Sequence, residues 1–522
     1  MKKRILAIMM CAAMAVSMAA CGSGSKEEET ASTSSASAEA VSEAAPTAER
    51  AATNEIVIGI AQDLDNTLDP HYAVAAGTRE VMFNVFEGLV KPTPEGDLIP
   101  AVASDYTVSD DGLTYTFTLR DGIKFHNGED VKTSDVVWSI KRNADSSEGE
   151  PLIPAFSAIE DVTADDTTIT VTLKEPDSEF LSYMTVEIIP ENYDKQDTEP
   201  VGTGPFRFVS RKAQDSIVLE RFADYWGEPA KLDKVTYKVN EKVEGLIMGL
   251  QSGALDLVSH LSTTDTAQLD TNEFDIEEGT MNLVQGLYLN NSVKPFDDVR
   301  VRQAMCYAID RQGILDMAFD GYGSLIGSGV YPSFTKYFDD SLTDYYSYDP
   351  EKAKELLKEA GYPDGFEMTI TVPSNYQPHV NTAEVIAEQL NAVGITATLE
   401  PVEWATWLSD VYAGGKYQST VIGLTANDMT GRALLERYNS AADDNFIFYK
   451  NDDYDALYAK VLTTYDSEEQ VKVYKEMEKN LTENAASVYI QDMADMVAVR
   501  KGLTGLQFYP LYVLDVSTLE WK

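Results

Sequence analysis

The chain has 522 residues, 44% of them hydrophobic and 24% charged, which is ordinary globular composition and excludes a wholly disordered protein. Its 86 acidic and 41 basic residues leave a net charge of −45, so nucleic acid and anionic lipid are poor partners for the folded body. The excess charge serves solubility more than steering, because salt screens it within about 8 Å.

The first element is an export signal. Lys2, Lys3 and Arg4 precede an apolar run from Ile5 to Ala20, which ends in the small residues Ala19-Ala20 before Cys21. The run is too short and too rich in Ala and Met for a spanning helix. The segment Met18-Ala19-Ala20-Cys21 resembles the lipobox of bacterial lipoproteins, with Met18 where Leu is commoner. That resemblance implies cleavage before Cys21, a diacylglycerol on its sulfur, and a protein held on the outer face of a membrane. Cys11 is a poor rival, since bulky Met10 precedes it. With Cys21 lipidated, Cys306 is the only other mature cysteine, so no intramolecular disulfide is expected. Loss of the signal's three cations takes the mature charge to −48. Residues 21–53, mostly Ser, Ala, Glu and Thr, read as a tether reaching roughly 30 Å.

The body begins at Asn54, and Ile56-Val57-Ile58-Gly59-Ile60 suits a buried strand. Two hairpins follow, one turning at Asp110-Asp111-Gly112 into Leu113 to Leu119, the other at Asp165-Asp166 into Ile169 to Leu173. Both alternate apolar residues with Thr, which predicts antiparallel sheet covered on one face. Between them Thr133 is the expected cap of a helix carrying Val136, Val137 and Ile140.

The second half changes period. Asp297 is the expected cap of a helix with Val301, Ala304, Met305, Ala308 and Ile309 on one face, and Phe296 is placed to staple onto Val301. Cys306 flanks that stripe and reads as a packing residue. Asp349-Pro350 opens another helix, stopped by Gly361. Phe366 to Val372 alternates as a strand, Asn381 and Glu384 start a helix ending before Gly394, and Ile395 to Pro401 is a strand again. This βαβ unit, followed by a strand from Ser419 to Gly423, predicts an α/β lobe.

Catalytic patterns are missing from the sequence. The four histidines, His71, His126, His260 and His379, form no paired metal spacing. There is no G-x-S-x-G elbow, and neither Gly202-Thr203-Gly204-Pro205 nor Gly414-Gly415-Lys416 makes a phosphate cradle. No cofactor, no metal and no enzyme activity are expected. An exported, tethered, multi-lobed α/β chain of this kind reads as a capture device.

Four segments carry a more specific resemblance: Leu119-Arg120-Asp121-Gly122-Ile123-Lys124-Phe125-His126-Asn127-Gly128, Val201-Gly202-Thr203-Gly204-Pro205-Phe206, Pro295 to Ala304, and Tyr348-Asp349-Pro350-Glu351-Lys352-Ala353. In this order the chain resembles the extracytoplasmic solute-binding proteins of peptide and nickel ABC importers, the large three-domain class known as family 5. The resemblance implies an α/β periplasmic-binding-protein clamshell. Lobe I would span 54–285 with a β-rich insert at about 92–198, lobe II would span 286–490, and residues 491–522 would return to lobe I. Hinge strands are expected near Gly286 to Asn290 and Ser487 to Gln491. Ligand would bind in the cleft, and the closed monomer would dock on the permease.

The same resemblance suggests ligand residues. Relatives that hold peptides by their ends carry Gly-Trp-x-x-Asp, whose Asp pairs with the peptide ammonium; the matching stretch here is Gly423-Leu424-Thr425-Ala426-Asn427, followed by Asp428. A neutral Asn contributes about 0.5–1.5 kcal/mol where a charged partner contributes about 1.5–3. Dipeptide binders place an Arg in the loop after the Phe366 strand, but Pro373 to Val380 has none, leaving Tyr376 and His379 as candidates. The ligand-binding set is therefore Asn427, Asp428, Thr425, Arg432, Tyr376 and His379, with Asp63, Asp65 and Tyr72 after the first strand. Arg432 is either an anion contact or a surface ion pair. Oligopeptides are the expected cargo; the alternatives are an oligosaccharide, a nickel or other metal chelate, or another small polar metabolite. A surface hydrolase or adhesin is the rival class, predicting a nucleophile–base set or repeats that the sequence does not display.

Overall fold

The computed structural model describes residues 47–522, apart from 74, 146–150 and 427. The signal, Cys21 and the tether through residue 46 lie outside the described residues, as does Asn427. The first described element, α1 (Thr47–Ala52), falls inside the stretch read as tether and corrects its boundary. The cause is long-range: Arg50 is buried, and its Nε and a terminal nitrogen donate to Asp256 at 2.8 and 2.6 Å.

Strand β1 (Glu55–Ile60) is buried along its middle, as an unbroken apolar run requires. After α2 (Ala76–Met82) the chain leaves for the insert, strands β2 (Ala103–Val108), β3 (Thr114–Leu119), β4 (Ile159–Ala164) and β5 (Thr168–Leu173). They form an antiparallel sheet in the order β2-β3-β5-β4. Tyr115, Phe117, Ile169 and Val171 share its covered face with Val136 and Ile140 of α3 (Thr133–Ala144). That helix is capped differently than expected. Thr133 is its first residue, and the Asp135 carboxylate reaches back to accept the Lys132 N–H at 2.8 Å.

The chain then returns through β6 (Phe206–Lys212), β7 (Ser216–Arg221), β8 (Lys234–Val239), β9 (Leu257–Leu261) and β10 (Phe274–Thr280). It passes into lobe II with β11 (Leu283–Leu289), α4 (Val299–Ala308), β12 (Ser324–Leu325), α5 (Pro350–Glu359), β13 (Glu367–Pro373), α6 (Gln377–Asn391), β14 (Thr396–Val402), β15 (Ser419–Thr425) and β16 (Val488–Asp492). Finally β17 (Ala494–Arg500) re-enters lobe I. Asp349 caps α5 as expected, accepting the Lys352 N–H at 2.9 Å. The cap of α4 is Asp298, one residue later than expected, because its carboxylate accepts the Arg300 N–H. Helix α6 starts four residues before Asn381, since Pro378 is tolerated in a first turn.

Lobe I holds a seven-stranded sheet, β10-β17-β9-β1-β8-β7-β6, and lobe II a six-stranded one, β12-β16-β11-β15-β13-β14. Strands β1, β8 and β9 are parallel, as are β13, β14 and β15. The lobe II sheet is covered on both faces, by Tyr288, Trp407, Tyr438 and Tyr474 on one side and Leu287, Val301, Ile370 and Leu390 on the other. Two crossings join the lobes: Met281-Asn282 between β10 and β11, and Met493 between β16 and β17. The expected hinges lay inside the lobe II sheet, a few residues away. The lobe boundary falls at Asn282 because this residue takes a left-handed conformation (φ 56°) that ends one strand before the next begins.

The resembling segments are structural. His126 binds Gly202 and Gly204 together, its Nδ1 accepting the Gly202 N–H at 3.2 Å and its Nε2 facing the Gly204 carbonyl at 3.0 Å. A Cβ on Gly202 would lie 2.3 Å from the Val85 carbonyl oxygen, so only glycine fits. Arg302 is buried and donates to the carbonyls of Phe296, Asn484 and Ala485.

Candidate functional site

In sheets built from parallel strands, ligands bind beyond the carboxyl ends. In lobe I those are the ends of β1, β8 and β9; antiparallel pairing brings the end of β10 and the start of β17 to the same edge. In lobe II they are the ends of β13, β14 and β15, joined by the start of β11 and the end of β16. Both crossings connect these two edges, so the edges face each other across the junction. The lobes also touch away from it. Tyr331 Oη donates to the Pro510 carbonyl at 3.1 Å, and Thr335 Oγ1 to that of Glu95 at 2.8 Å.

The loop after β1 is held by ion pairs. Asp63 accepts from Arg211 Nε and from the Gln214 N–H, and against the cost of burial these bonds hold its carboxyl below the usual range. Asp65 accepts the Ala75 N–H at 2.8 Å. Both acids shape the loop, so a direct ligand role for them is replaced by a positioning one. Tyr72 is half exposed, its ring 4.7 Å from the Arg142 guanidinium, which forks onto Asp69 at 3.0 and 2.6 Å. His71 accepts from Arg142 at Nδ1 and faces the Glu187 carbonyl with Nε2; burial holds its pKa down at about 4.

On the lobe II edge, Thr425 ends β15 exposed, opposite Leu283. Asp428 accepts the Thr430 N–H at 3.0 Å and its hydroxyl at 2.5 Å; burial raises the carboxyl's pKa against the pull of those bonds. Tyr376 is exposed and packs edge-on against Trp404, 5.2 Å between centroids, and Trp404 stacks on Trp407. His379 departs from expectation: it is buried, its Nδ1 accepts from Gln285 Nε2 at 2.9 Å, and burial holds its pKa at about 4.

Arg432 is a second correction, being neither an anion contact nor a surface pair. Its guanidinium meets both Asp177 oxygens at 3.0 and 2.9 Å, Glu179 at 3.2 Å and Tyr183 Oη at 3.3 Å. Glu179 also accepts from the Gly431 N–H and from Tyr474 Oη, and burial pushes its carboxyl up to about 7. This buried cluster joins the insert to lobe II.

Sequence reasoning missed the residues at the crossings. On the lobe I edge, His260 lies between Glu80 at 3.0 Å and Asp495 at 2.9 Å, stacked on Tyr512. Burial opposes charging the ring, but the two carboxylates outweigh it and push its pKa up to about 10. Across the junction, Gln491 Nε2 donates to Gln285 Oε1, and Asp492 accepts the Leu283 N–H at 3.1 Å. One signal was available: Asp492 and Asp495 interrupt the apolar run from Val488 to Val499. Among the described residues no three His, Cys, Asp or Glu side chains converge as metal ligands, and no helix is long and apolar enough to cross a membrane.

Known proteins share this architecture. The family described as bacterial extracellular solute-binding proteins, family 5 Middle, matches residues 97–446. The glutathione-binding protein GsiB of Escherichia coli O1:K1 / APEC is 31% identical over 483 residues, 88% of this chain and 93% of that protein. AgaA of A. tumefaciens R10, solved with agropinic acid, is 29% identical with a TM-score of 0.69, covering 90% of this chain and 99% of that one. DppA of Helicobacter pylori, solved with the peptide STSA, is 26% identical with a TM-score of 0.69, covering 90% and 98%. A match over most of the chain, joined to a two-lobed α/β fold with a β-rich insert, places this protein among the bacterial extracellular solute-binding proteins of family 5, the substrate-binding components of ABC importers.

Proposed function

We propose that this protein captures oligopeptides between the facing strand ends and hands them to its permease, held to the outer face of the cell membrane by a lipid on Cys21. The observation that carries the cargo is the likeness to DppA, whose structure contains a peptide and matches 90% of this chain. The rims suit such a ligand: Tyr72 and Tyr512 on lobe I and Tyr376 and Trp404 on lobe II offer rings, while Thr425 offers a hydroxyl. Closure is hinge motion about Met281-Asn282 and Met493, stabilised by contacts made only when the lobes meet. The protein acts as a monomer and leaves its ligand chemically intact.

Thermal-shift titration of the purified protein tests the cargo, using di- to octapeptides, reduced glutathione, oligosaccharides and nickel chelates. A ligand at a hundred times its dissociation constant stabilises by about 2.7 kcal/mol. Peptides longer than two residues are expected to shift the transition; a response to a sugar or chelate alone would discard the peptide. The second reading, a non-peptide polar metabolite, is favoured by the likeness to AgaA with agropinic acid. The anchor is tested by labelling cells with a palmitate analogue. Wild type should incorporate it, and Cys21→Ser should not.

A further inference from the structure

The return crossing carries more acceptors than its neighbours satisfy. Asp492 is fully buried, and while its Oδ1 accepts the Leu283 N–H at 3.1 Å, its Oδ2 has no hydrogen-bond partner. Asp495, 8% exposed, faces His260 with Oδ2 and leaves Oδ1 without a partner. Gln491 Oε1 is also unpartnered, its amide nitrogen being committed to Gln285. Buried acceptors are costly to leave without donors. Here three occur within five residues, at the point where the chain passes between lobes.

Asp492 borders the ligand edge. The Leu283 N–H it holds belongs to the residue paired with Thr425 at the end of β15. Tyr331 senses both Asp492 and Asp428, and its hydroxyl lies by the Ala426 backbone. Thr280, the Asn282 backbone and Asp495 also face Asp492. Burial raises its pKa well above the ordinary carboxylate value.

We propose that Asp492 Oδ2, backed by Asp495 Oδ1, receives the ammonium group of the ligand at the crossing between the lobes. This rests on reading the facing strand ends as the ligand cleft, and it specifies that the cargo is an amine. A positively charged nitrogen supplies only donors, which suits acceptors that lack them.

Calorimetry on the full chain tests this with tetraalanine, reduced glutathione and 1,5-diaminopentane, each beside its N-acetylated form. Free amines should bind about tenfold or more tighter than acetylated ones. Asp492→Asn should remove the preference; the wild-type comparisons stand alone if that variant does not fold. Equal binding of free and acetylated tetraalanine overturns the inference and leaves the peptide reading intact. Binding of the diamine alone, lost in Asp492→Asn, upholds the amine site and removes the peptide. Failure of every free amine to bind overturns the inference.

Discussion

Replacing Arg432 by Leu tests whether the ion cluster holds the insert to lobe II. The substitution removes the fork onto Asp177 at 3.0 and 2.9 Å and the contact to Glu179 at 3.2 Å. The guanidinium is 13% exposed and Glu179 only 4%, so the carboxylates left behind are not rescued by solvent. Removing one partner of a buried pair costs about 3–5 kcal/mol. The loss should depend on pH. Burial already pushes Glu179 up to about 7, and without the arginine its carboxyl rises further. A raised carboxyl pKa means that the folded state keeps its proton longer than the unfolded one, so the contribution to stability falls as pH climbs above about 4.5. Arg432→Leu should therefore unfold in urea with a deficit of about 3–5 kcal/mol at pH 8 and a smaller one at pH 5.5. An equal deficit at both values would refute the charge argument. A deficit below about 0.5 kcal/mol would refute the buried cluster altogether.

Three further outcomes are expected. Gly202→Ala should destabilise by more than about 3 kcal/mol in denaturant unfolding, because its Cβ would meet the Val85 carbonyl oxygen at 2.3 Å and the backbone must shift. Arg50→Met should cost about 3–5 kcal/mol by stranding buried Asp256, and limited proteolysis should then cut within residues 47–53. On the acid side, burial holds His379 at about 4, below the ordinary value of 6.5, so the unfolded chain takes up its proton first and stability falls as pH drops from about 6.5 to about 4. His379→Gln should make that fall shallower in pH-dependent unfolding, whereas an unchanged slope would place the proton uptake elsewhere.

Local periodicity made much of the fold legible. The insert's β3 and β5 were readable because one covered face forces apolar residues to alternate with Thr. The start of α5 was readable because Asp349 and Pro350 act within one turn. What failed was non-local. Strands β11 and β16 are buried on both faces, so their sequences carry no mark of where a lobe ends. Arg50 answers an aspartate 206 residues away and Arg432 one 255 residues away, distances no spacing rule spans. The ligand edge was half legible. The strands before the candidate loops were readable, yet His379 and Arg432 are turned to structural ends by partners the sequence does not identify. The acids of the return crossing were visible as charges inside an apolar run and went unread.

Strand β17 sets the order in which the chain assembles. It lies between β9 and β10 in the first lobe's sheet, pairing with both, although those strands are synthesised long before it. Until it arrives, β10 has no neighbour in the sheet and β9 offers an open edge, an invitation to aggregation. The insert closes on partners nearer in sequence and is free to form earlier, whereas the lobe II sheet waits for β16, which ends just before β17 begins. The lobe begun first is thus completed last, when the end of the chain threads back into its middle.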